Sequence, residues 1–207
     1  MLGRLNLGVL ISGTGTNLQA IIDAINSNKL NAKICVVISN EAEAGGLVRA
    51  IDNGIPAVLI EHKRFSKREA FDEMLVRTLQ LYHVEWVVLA GFMRIISKVL
   101  LDAYPMRIIN IHPALLPSFK GVDAQEQALD YGVKITGCTV HFVDSGIDTG
   151  PIIAQTAVNV LPDDDVNTLR ARILVQEHKL LVDVLKAISE DKVKVIESSP
   201  RNKVTVL

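Results

Sequence analysis

The sequence predicts an α/β protein of three layers, in which helices cover both faces of a mostly parallel but mixed sheet of about seven strands. Two observations indicate this class. In the first half of the chain, four short apolar runs alternate with segments of helical periodicity, as expected for parallel strands joined by helical crossovers. In the second half, the apolar runs at residues 135–143 and 152–160 are joined by a connection too short for such a crossover, so they should pair antiparallel.

The first half should repeat a strand followed by a helix. Its expected strands lie at residues 5–12, 34–39, 56–60 and 86–90. Its expected helices begin after the glycines of residues 13–15, span residues 46–53 before Gly54, and start again at Ser66, where Glu69 completes a capping box.

The second half opens with a strand at residues 108–112, whose nearly continuous apolar sequence ends on polar side chains and on Pro113, which cannot continue a ladder. A helix at residues 124–131 should follow, then the antiparallel pair. A long helix capped within residues 162–165 comes last, and the chain from Asp191 is a polar tail with a short apolar run.

The composition fits an ordinary globular protein of the cytoplasm. The 207 residues show no linker, so we expect one domain over residues 1–207, with halves of about 1–104 and 105–207. A formal net charge of -1 gives no bulk affinity for nucleic acid or an anionic membrane. No apolar run reaches the roughly 20 residues of a membrane span, and no signal segment is evident.

The cysteines add to this expectation. Cys35 and Cys138 lie in apolar, strand-like runs, and two cysteines do not make a disulfide framework. We expect both to be free, buried thiols in a reducing compartment.

A glycine turn after the first strand is a candidate phosphate site. It reads Gly-Thr-Gly-Thr-Asn at residues 13–17 and delivers the strand into a helix, which exposes backbone N–H groups at the positive end of the helix dipole. It lacks the lysine of a P-loop and the third glycine of a dinucleotide fingerprint, so a single phosphate is expected. The alternative is a tight turn without a ligand, with Thr16 or Asn17 as the N-cap.

The segment at residues 90–96 leaves a buried strand through Gly91 and continues with apolar residues around Arg94. Exposed backbone beside hydrophobic side chains suits a flat heteroaromatic ligand. The alternative is core packing with Arg94 at the surface.

The polar end of the strand at residues 108–112 is the candidate catalytic site. Asn110 and His112 are two residues apart, so they point to the same side of the sheet at the end where α/β sheets place ligands. Asp144 or Asp148, in the turn between the antiparallel strands, could pair with the imidazole and favour its protonated form. His141 is expected to be packed. The alternative is a strand end that only satisfies nearby backbone.

An Asn and a His beside a carboxylate, with no serine or cysteine nucleophile evident nearby, indicate direct acyl transfer between two bound substrates. A metal site made of His112, His141 and Asp148 is disfavoured, because no close His-x-x-x-His or Cys-x-x-Cys spacing supports it.

The chain resembles the folate-dependent glycinamide ribonucleotide formyltransferases of purine synthesis. The resemblance rests on five ordered motifs, which are Ser-Gly-Thr-Gly-Thr-Asn-Leu-Gln, Ala-Gly-Phe-Met-Arg, Asn-Ile-His-Pro-Ala-Leu-Leu-Pro, Thr-Val-His-Phe-Val and Asp-Thr-Gly-Pro. It implies the formyltransferase fold, with a Rossmann-like, nucleotide-binding first half and a folate-binding, catalytic second half. It also implies transfer of a formyl group from 10-formyltetrahydrofolate, as co-substrate, to the amine of glycinamide ribonucleotide, without a metal.

The resemblance also implies roles for individual residues. His112 would be the general acid, Asn110 its partner in holding the formyl oxygen, and Asp148 the carboxylate that raises the histidine pKa. The ribonucleotide would be bound by Gly15, Thr16, Asn17 and Glu177. The folate side would be formed by Arg68, Met93, Arg94, Ile95, Ile96, Asn110 and Asp144.

Two positions depart from the family pattern: Lys120 stands where a proline is expected, and Leu174 stands one turn before Glu177 where a polar residue is common. Methionyl-tRNA formyltransferases and formyltetrahydrofolate hydrolases share part of the pattern but carry further domains that we do not expect here. A non-catalytic nucleotide-binding module is the alternative from another class. The expected partners are small molecules, and the chain is expected to be a monomer or a homodimer.

Overall fold

The computed structural model describes residues 4–198 and 202–206. The strands of its main sheet are β1 (Leu5–Ile11), β2 (Ala32–Ser39), β3 (Ala57–Leu59), β4 (Trp86–Leu89), β5 (Ile108–His112), β6 (Ile135–Phe142) and β7 (Ile152–Asn159). The α-helices are α1 (Thr16–Asn26), α2 (Gly45–Asp52), α3 (Arg68–Leu81), α4 (Lys98–Ala103), α5 (Ala124–Tyr131) and α6 (Val166–Ser189).

The seven strands lie in the order β3-β2-β1-β4-β5-β6-β7. The pairs from β3 to β5 are parallel, whereas β6 and β7 are antiparallel. The predicted α/β class, with a mostly parallel sheet and an antiparallel pair in the second half, is therefore confirmed.

The chain divides into two compact units at the bond between Asn110 and Ile111. This division falls six residues beyond the boundary near residue 104 that the sequence suggested for its two halves. The single-domain organisation over residues 1–207 remains a prediction.

In the first unit, β1 lies between β2 and β4. The side chains of Leu7, Val9 and Leu10 are completely buried, as expected for a strand with neighbours on both sides and cover on both faces. β1 and β4 end next to each other, since Leu10 pairs with Leu89. The residues that follow these two strands are therefore placed side by side.

Helix α3 differs from its prediction at the N-terminus. The expected capping box of Ser66 and Glu69 is absent: Lys67 occupies the N-cap position, and no side chain caps the helix. The aromatic ring of Phe65 instead packs edge-on against Phe71, with the ring centroids 5.6 Å apart. An apolar contact thus fixes the entry into α3 where a polar cap was expected, which resembles a hydrophobic staple.

In the second unit, the predicted cap of the last helix is confirmed. Asp165 accepts a hydrogen bond from Thr168 N, and the Thr168 hydroxyl accepts one from Asp165 N, which together form a capping box. The polar tail contains a feature that was not predicted. Its short apolar run is strand β8 (Val193–Ile196), which pairs antiparallel with strand β9 (Lys203–Val206).

Cys35 and Cys138 are both free and buried, as predicted. Burial raises the pKa of Cys35, and burial together with the nearby charge of Glu177 raises the pKa of Cys138 to about 12. Both thiols are therefore poor nucleophiles in the folded protein. Within the described residues, no helix has the length and apolar character needed to span a membrane.

Candidate active site

Strand β5 ends where the sequence predicted, with Asn110 and His112 two residues apart on it. Asn110 is half-buried, and His112 is only 4% exposed. Alternation along the strand directs both side chains to the same face. The strand therefore presents an amide and an imidazole at its carboxyl end.

The imidazole of His112 is held between two oxygen atoms. Its Nδ1 lies 3.3 Å from Oδ2 of Asp148, and its Nε2 lies 2.8 Å from the carbonyl oxygen of Phe119. Both oxygens are acceptors, and a neutral imidazole has only one N–H to donate. The geometry of the contacts therefore favours the doubly protonated ring.

Burial opposes this preference. It is the largest influence on the pKa of His112 and lowers it below the ordinary value of 6.5. The Asp148 carboxylate and the Phe119 carbonyl raise the pKa, and the nearby His141 lowers it. Asp148 therefore raises the pKa of His112, as expected, but burial has the larger effect and the pKa lies below the ordinary value.

Asp148 is the acidic residue that pairs with His112, which resolves the choice between Asp144 and Asp148. Its carboxylate also lies 3.6 Å from Nε2 of His141 and accepts a hydrogen bond of 2.8 Å from Gly121 N. Burial alone would raise the pKa of Asp148, but the hydrogen bonds from His141 and Gly121 and the two histidines outweigh it and lower the pKa. Asp148 is therefore a stable carboxylate that joins two imidazoles.

His141 was expected to be packed, and it is buried at 2% exposure. Its contact with Asp148 was not predicted. The register of β6 and β7 is irregular next to this residue, between Val140 and His141. The described residues contain no group of three or more His, Cys, Asp and Glu side chains arranged to hold a metal ion.

The segment at residues 117–123 brings two backbone groups to the histidine and the aspartate. Phe119 and Gly121 have positive φ angles of 52° and 81°. The side-chain amide of Gln127 donates to the carbonyls of Lys120 at 3.2 Å and Val122 at 2.7 Å. Lys120 thus takes part through its backbone at the position where a proline was expected.

Asp144 and Glu177 belong to the second unit, Asp144 in the turn that also carries Asp148 and Glu177 on α6. Asp144 accepts hydrogen bonds from Gly146 N at 3.1 Å and from the Thr149 hydroxyl at 2.6 Å, so it stabilises the turn after β6. Glu177 is 7% exposed on α6. Its charge contributes to the raised pKa of Cys138.

The glycine turn of the first unit is shaped by backbone contact. Gly15, with φ of 72°, is the N-cap of α1, so the cap differs from Thr16 or Asn17, which the alternative of a turn without a ligand assumed. A Cβ atom on Gly15 would lie 2.6 Å from the Cα of Gly46. No side chain caps α1, and Thr16 and Asn17 form its first turn. The backbone N–H groups of the first turn of a helix point toward its N-terminal end, which is the arrangement that suits an anion.

The segment after β4 combines exposed and buried apolar side chains. Met93 and Ile95 are 72% and 52% exposed, whereas Ile96 is buried and Arg94 is half-buried. The exposed pair is what a flat ligand would cover. Arg68 is exposed at the first position of α3. Burial raises the pKa of Asp72, and the charge of Arg68 partly offsets this effect.

A hydrogen-bonded chain through Ser12, Asn40 and His62 in the first unit was not predicted. Ser12, Asn40 and His62 each follow closely on the end of a parallel strand. A search for polar residues just beyond buried strands would have found Ser12 and Asn40, but not His62, because β3 is only partly buried. The sequence carries no signal that these residues bond to one another.

Comparison with known proteins identifies the class that this fold and this site define. The formyl transferase family matches residues 5–185, and the chain belongs to that family.

Relatives within the family are similar over most of the chain. The chain is 49% identical over 177 residues to the trifunctional purine biosynthetic protein adenosine-3 of Drosophila melanogaster. The matched region is 84% of this chain but only 13% of that protein. It is 41% identical over 195 residues to the phosphoribosylglycinamide formyltransferase of Escherichia coli, covering 94% of this chain and 92% of the relative. The crystal structure of glycinamide ribonucleotide transformylase 1 from Symbiobacterium toebii superposes with a TM-score of 0.94 at 46% identity, covering 99% of this chain and 94% of that one.

Proposed function

We propose that this chain transfers the formyl group of 10-formyltetrahydrofolate to the amine of glycinamide ribonucleotide, a step of purine biosynthesis. The observation that carries the proposal is the pairing of buried His112 at the end of β5 with half-buried Asp148 between β6 and β7, with Nδ1 and Oδ2 3.3 Å apart. Similarity to proteins named for this reaction, over nearly the whole chain, supports it.

In the proposed reaction, the amine nitrogen attacks the formyl carbon and the bond from that carbon to N10 of the folate breaks. Negative charge develops on the formyl oxygen as the tetrahedral intermediate forms. Asn110 and protonated His112 stabilise that charge by hydrogen bonding. A proton leaves the attacking nitrogen and another reaches N10, so formylglycinamide ribonucleotide and tetrahydrofolate are the products.

The two nitrogens of His112 are assigned different tasks. Nδ1 is held by Asp148, which fixes the orientation of the ring and favours its charged form. Nε2 is the nitrogen that serves the formyl oxygen, and in the structure it lies 2.8 Å from the carbonyl oxygen of Phe119. The formyl oxygen takes the place of that carbonyl when the substrates bind.

The substrates are assigned to the remaining candidate residues. The phosphate of the ribonucleotide is bound by the backbone of Gly15, Thr16 and Asn17, and its ribose by Glu177. The folate is bound by Arg68, Met93, Arg94, Ile95, Ile96, Asn110 and Asp144. The exposed apolar surface of Met93 and Ile95 supports the folate assignment.

The setting of the reaction is also inferred. The net charge of -1 supports small molecules as the partners, without nucleic acid or membrane. We place the protein in the cytoplasm as a monomer or a homodimer.

The test is a formyl transfer assay with 10-formyltetrahydrofolate and three acceptor conditions: glycinamide ribonucleotide, initiator tRNA, and no added acceptor. We expect tetrahydrofolate release and formylated product only with the ribonucleotide. Release without an acceptor at the same rate would identify a hydrolase, and formylation of the tRNA would identify a different transferase. Either result would overturn the proposal.

The variant His112→Ala separates an enzyme from a non-catalytic nucleotide-binding module. We expect kcat to fall by roughly two to three orders of magnitude, the effect of removing one oxyanion donor, while the ribonucleotide and tetrahydrofolate still bind. The control is His83→Asn, an exposed residue with positive φ that Asn tolerates. Equal turnover by wild type and His112→Ala would contradict the assignment.

A further inference from the structure

A hydrogen-bonded chain crosses the carboxyl ends of four neighbouring strands in the first unit. The strands lie in the order β3-β2-β1-β4, and the residues of the chain, His62, Asn40, Ser12 and Met93, follow these strands in the same order. Asn40 Nδ2 is 3.1 Å from His62 Nδ1, Ser12 Oγ is 2.5 Å from Asn40 Oδ1, and Met93 N is 2.8 Å from Ser12 Oγ.

The direction of every bond in this chain is determined by the one at its end. The backbone N–H of Met93 can only donate, so Ser12 Oγ accepts from it and gives its own hydrogen to Asn40 Oδ1. The amide nitrogen of Asn40 must then point to His62 Nδ1, and the same nitrogen donates to Glu41 Oε1 at 3.3 Å.

Ser12 holds the segment after β4 at two points. Its backbone N–H donates to the carbonyl of Gly91 at 3.0 Å, and its hydroxyl accepts from Met93 N. Gly91 has a positive φ of 74°, so the polypeptide backbone turns sharply between these two hydrogen bonds. Ser12 therefore fixes the conformation of the turn that leads into residues 93–96.

Aromatic contacts connect His62, the last residue of the hydrogen-bonded chain, to the same turn. The ring of His62 packs edge-on against Phe71 at 6.4 Å, and Phe71 stacks on Phe92 at 6.5 Å. Further along, the backbone N–H of Ser97 donates to the buried carboxylate of Asp72. Polar and aromatic contacts thus support the segment along its length.

We propose that Ser12, Asn40 and His62 are positioning residues that set the backbone of residues 91–96 for binding of the pterin-bearing co-substrate. The proposal rests on the function inferred above, which assigns Met93 and the three residues after it to the folate. None of the three positioning residues needs to contact either substrate. Their effect is transmitted through the amide of Met93 and the carbonyl of Gly91.

The first test compares Ser12→Ala with Ser12→Thr, which restores the hydroxyl. Loss of the hydroxyl leaves Met93 N and Asn40 Oδ1 without their shared partner, so we expect the KM for 10-formyltetrahydrofolate to rise roughly 10-fold. The KM for the ribonucleotide and kcat at saturation should change by less than about 2-fold, and Ser12→Thr should recover most of the folate KM.

The matched control is Ser27→Ala, which removes a hydroxyl that donates to Asp23 O at 2.7 Å on the exposed end of α1. It should leave both KM values unchanged. An equal rise of both KM values in Ser12→Ala would mean that the whole fold is less rigid, and it would overturn the proposal. An unchanged KM for 10-formyltetrahydrofolate would overturn it as well. Absence of formyl transfer by the wild type would instead overturn the proposed function itself.

The second test reads the hydrogen-bonded chain directly through hydrogen exchange of the Met93 backbone amide, followed by NMR, and does not depend on turnover. In the wild type and in Ser27→Ala this amide should be protected, because Ser12 Oγ accepts its hydrogen. In Ser12→Ala it should exchange roughly 10-fold faster. An exchange rate of Met93 that is identical in the wild type and Ser12→Ala would overturn the proposed chain.

Discussion

Among single residues, His112 combines two opposing influences on its protonation. Both of its nitrogens face oxygen acceptors, which favours the charged ring, whereas burial favours the neutral ring and prevails in the pKa. An acid catalyst in this position depends on its carboxylate partner, because Asp148 is the largest of the influences that raise its pKa.

The variant Asp148→Asn tests that dependence. It removes a charge that raises the pKa of His112, so the pKa should fall further below 6.5. The fraction of protonated His112 at any pH near the pKa then decreases, and the fall of kcat/KM with rising pH should move to lower pH. The ring is followed by an NMR titration in parallel with the rate profile. A titration that coincides with the wild type would show that Asp148 has no electrostatic role.

The residues at the strand end could be predicted, but most of their partners could not. Asn110 and His112 were recognisable because a buried apolar strand stops on them, and two-residue spacing fixes their common face. The Asp148 contact was one of two open choices, since sequence does not measure distance across a turn. The carbonyl of Phe119 and the ring of His141 carry no signal, because a backbone acceptor is the same at every residue and a buried histidine has many structural uses.

Among the elements, the glycine turn depends on the start of helix α2. Gly15 and Gly46 approach so closely that a Cβ atom on Gly15 would lie 2.6 Å from the Cα of Gly46, and Gly46 N donates to Gly13 O at 3.1 Å. The shape of the turn is therefore set by a residue some thirty positions further along the chain. Local sequence predicts the turn, but not the contact that holds it.

The variants Gly15→Ala and Gly13→Ala compare two glycines of the same turn, of which only Gly15 has the close contact and a positive φ. Alanine at Gly15 meets both a backbone clash and a positive φ of 72°, which should lower the free energy of unfolding by about 1–3 kcal/mol. Alanine at Gly13 has nothing within 4 Å and should leave stability unchanged or slightly raised. Urea unfolding of the two variants and the wild type measures the difference. Equal losses in both variants would contradict the contact.

Strands and helices were predicted well where burial produces a strong apolar pattern in the sequence. They were predicted less well where contacts between residues determine where an element begins or whether it forms. All seven strands of the main sheet were expected from their apolar runs. The start of α3 was misplaced because Phe65 packs on Phe71, whereas a capping box was expected to begin the helix at Ser66. Strand β8 was not recognised as a strand because it is short and because its partner, β9, is a short segment in which polar and apolar residues alternate.

For the whole molecule, the sequence predicted the kinds of strand pairing but not the strand order. Which parallel strands become neighbours depends on how the crossovers pack, and that information is not local. The chain of Ser12, Asn40 and His62 depends on that order, because each bond joins residues that follow adjacent strands. It could therefore be found only in the folded structure.

The two thiols provide a measure of global unfolding. With a pKa of about 12, Cys138 has a thiolate fraction on the order of one in ten thousand at pH 8, and Cys35 is also buried with a raised pKa. We expect a thiol reagent such as DTNB to react slowly with the native protein and to titrate two thiols promptly in guanidinium chloride. Prompt reaction of the native protein would contradict the burial of one or both cysteines.

The burial of these cysteines has a practical consequence for spectroscopy. Because both native thiols are buried and have raised pKa values, we expect a single cysteine placed on the surface to be the main attachment point for a label. Lys120→Cys is suitable, because the side chain of Lys120 is exposed while its carbonyl accepts from Gln127. A fluorophore on that cysteine would report changes around the segment at residues 117–123 when glycinamide ribonucleotide or tetrahydrofolate is added.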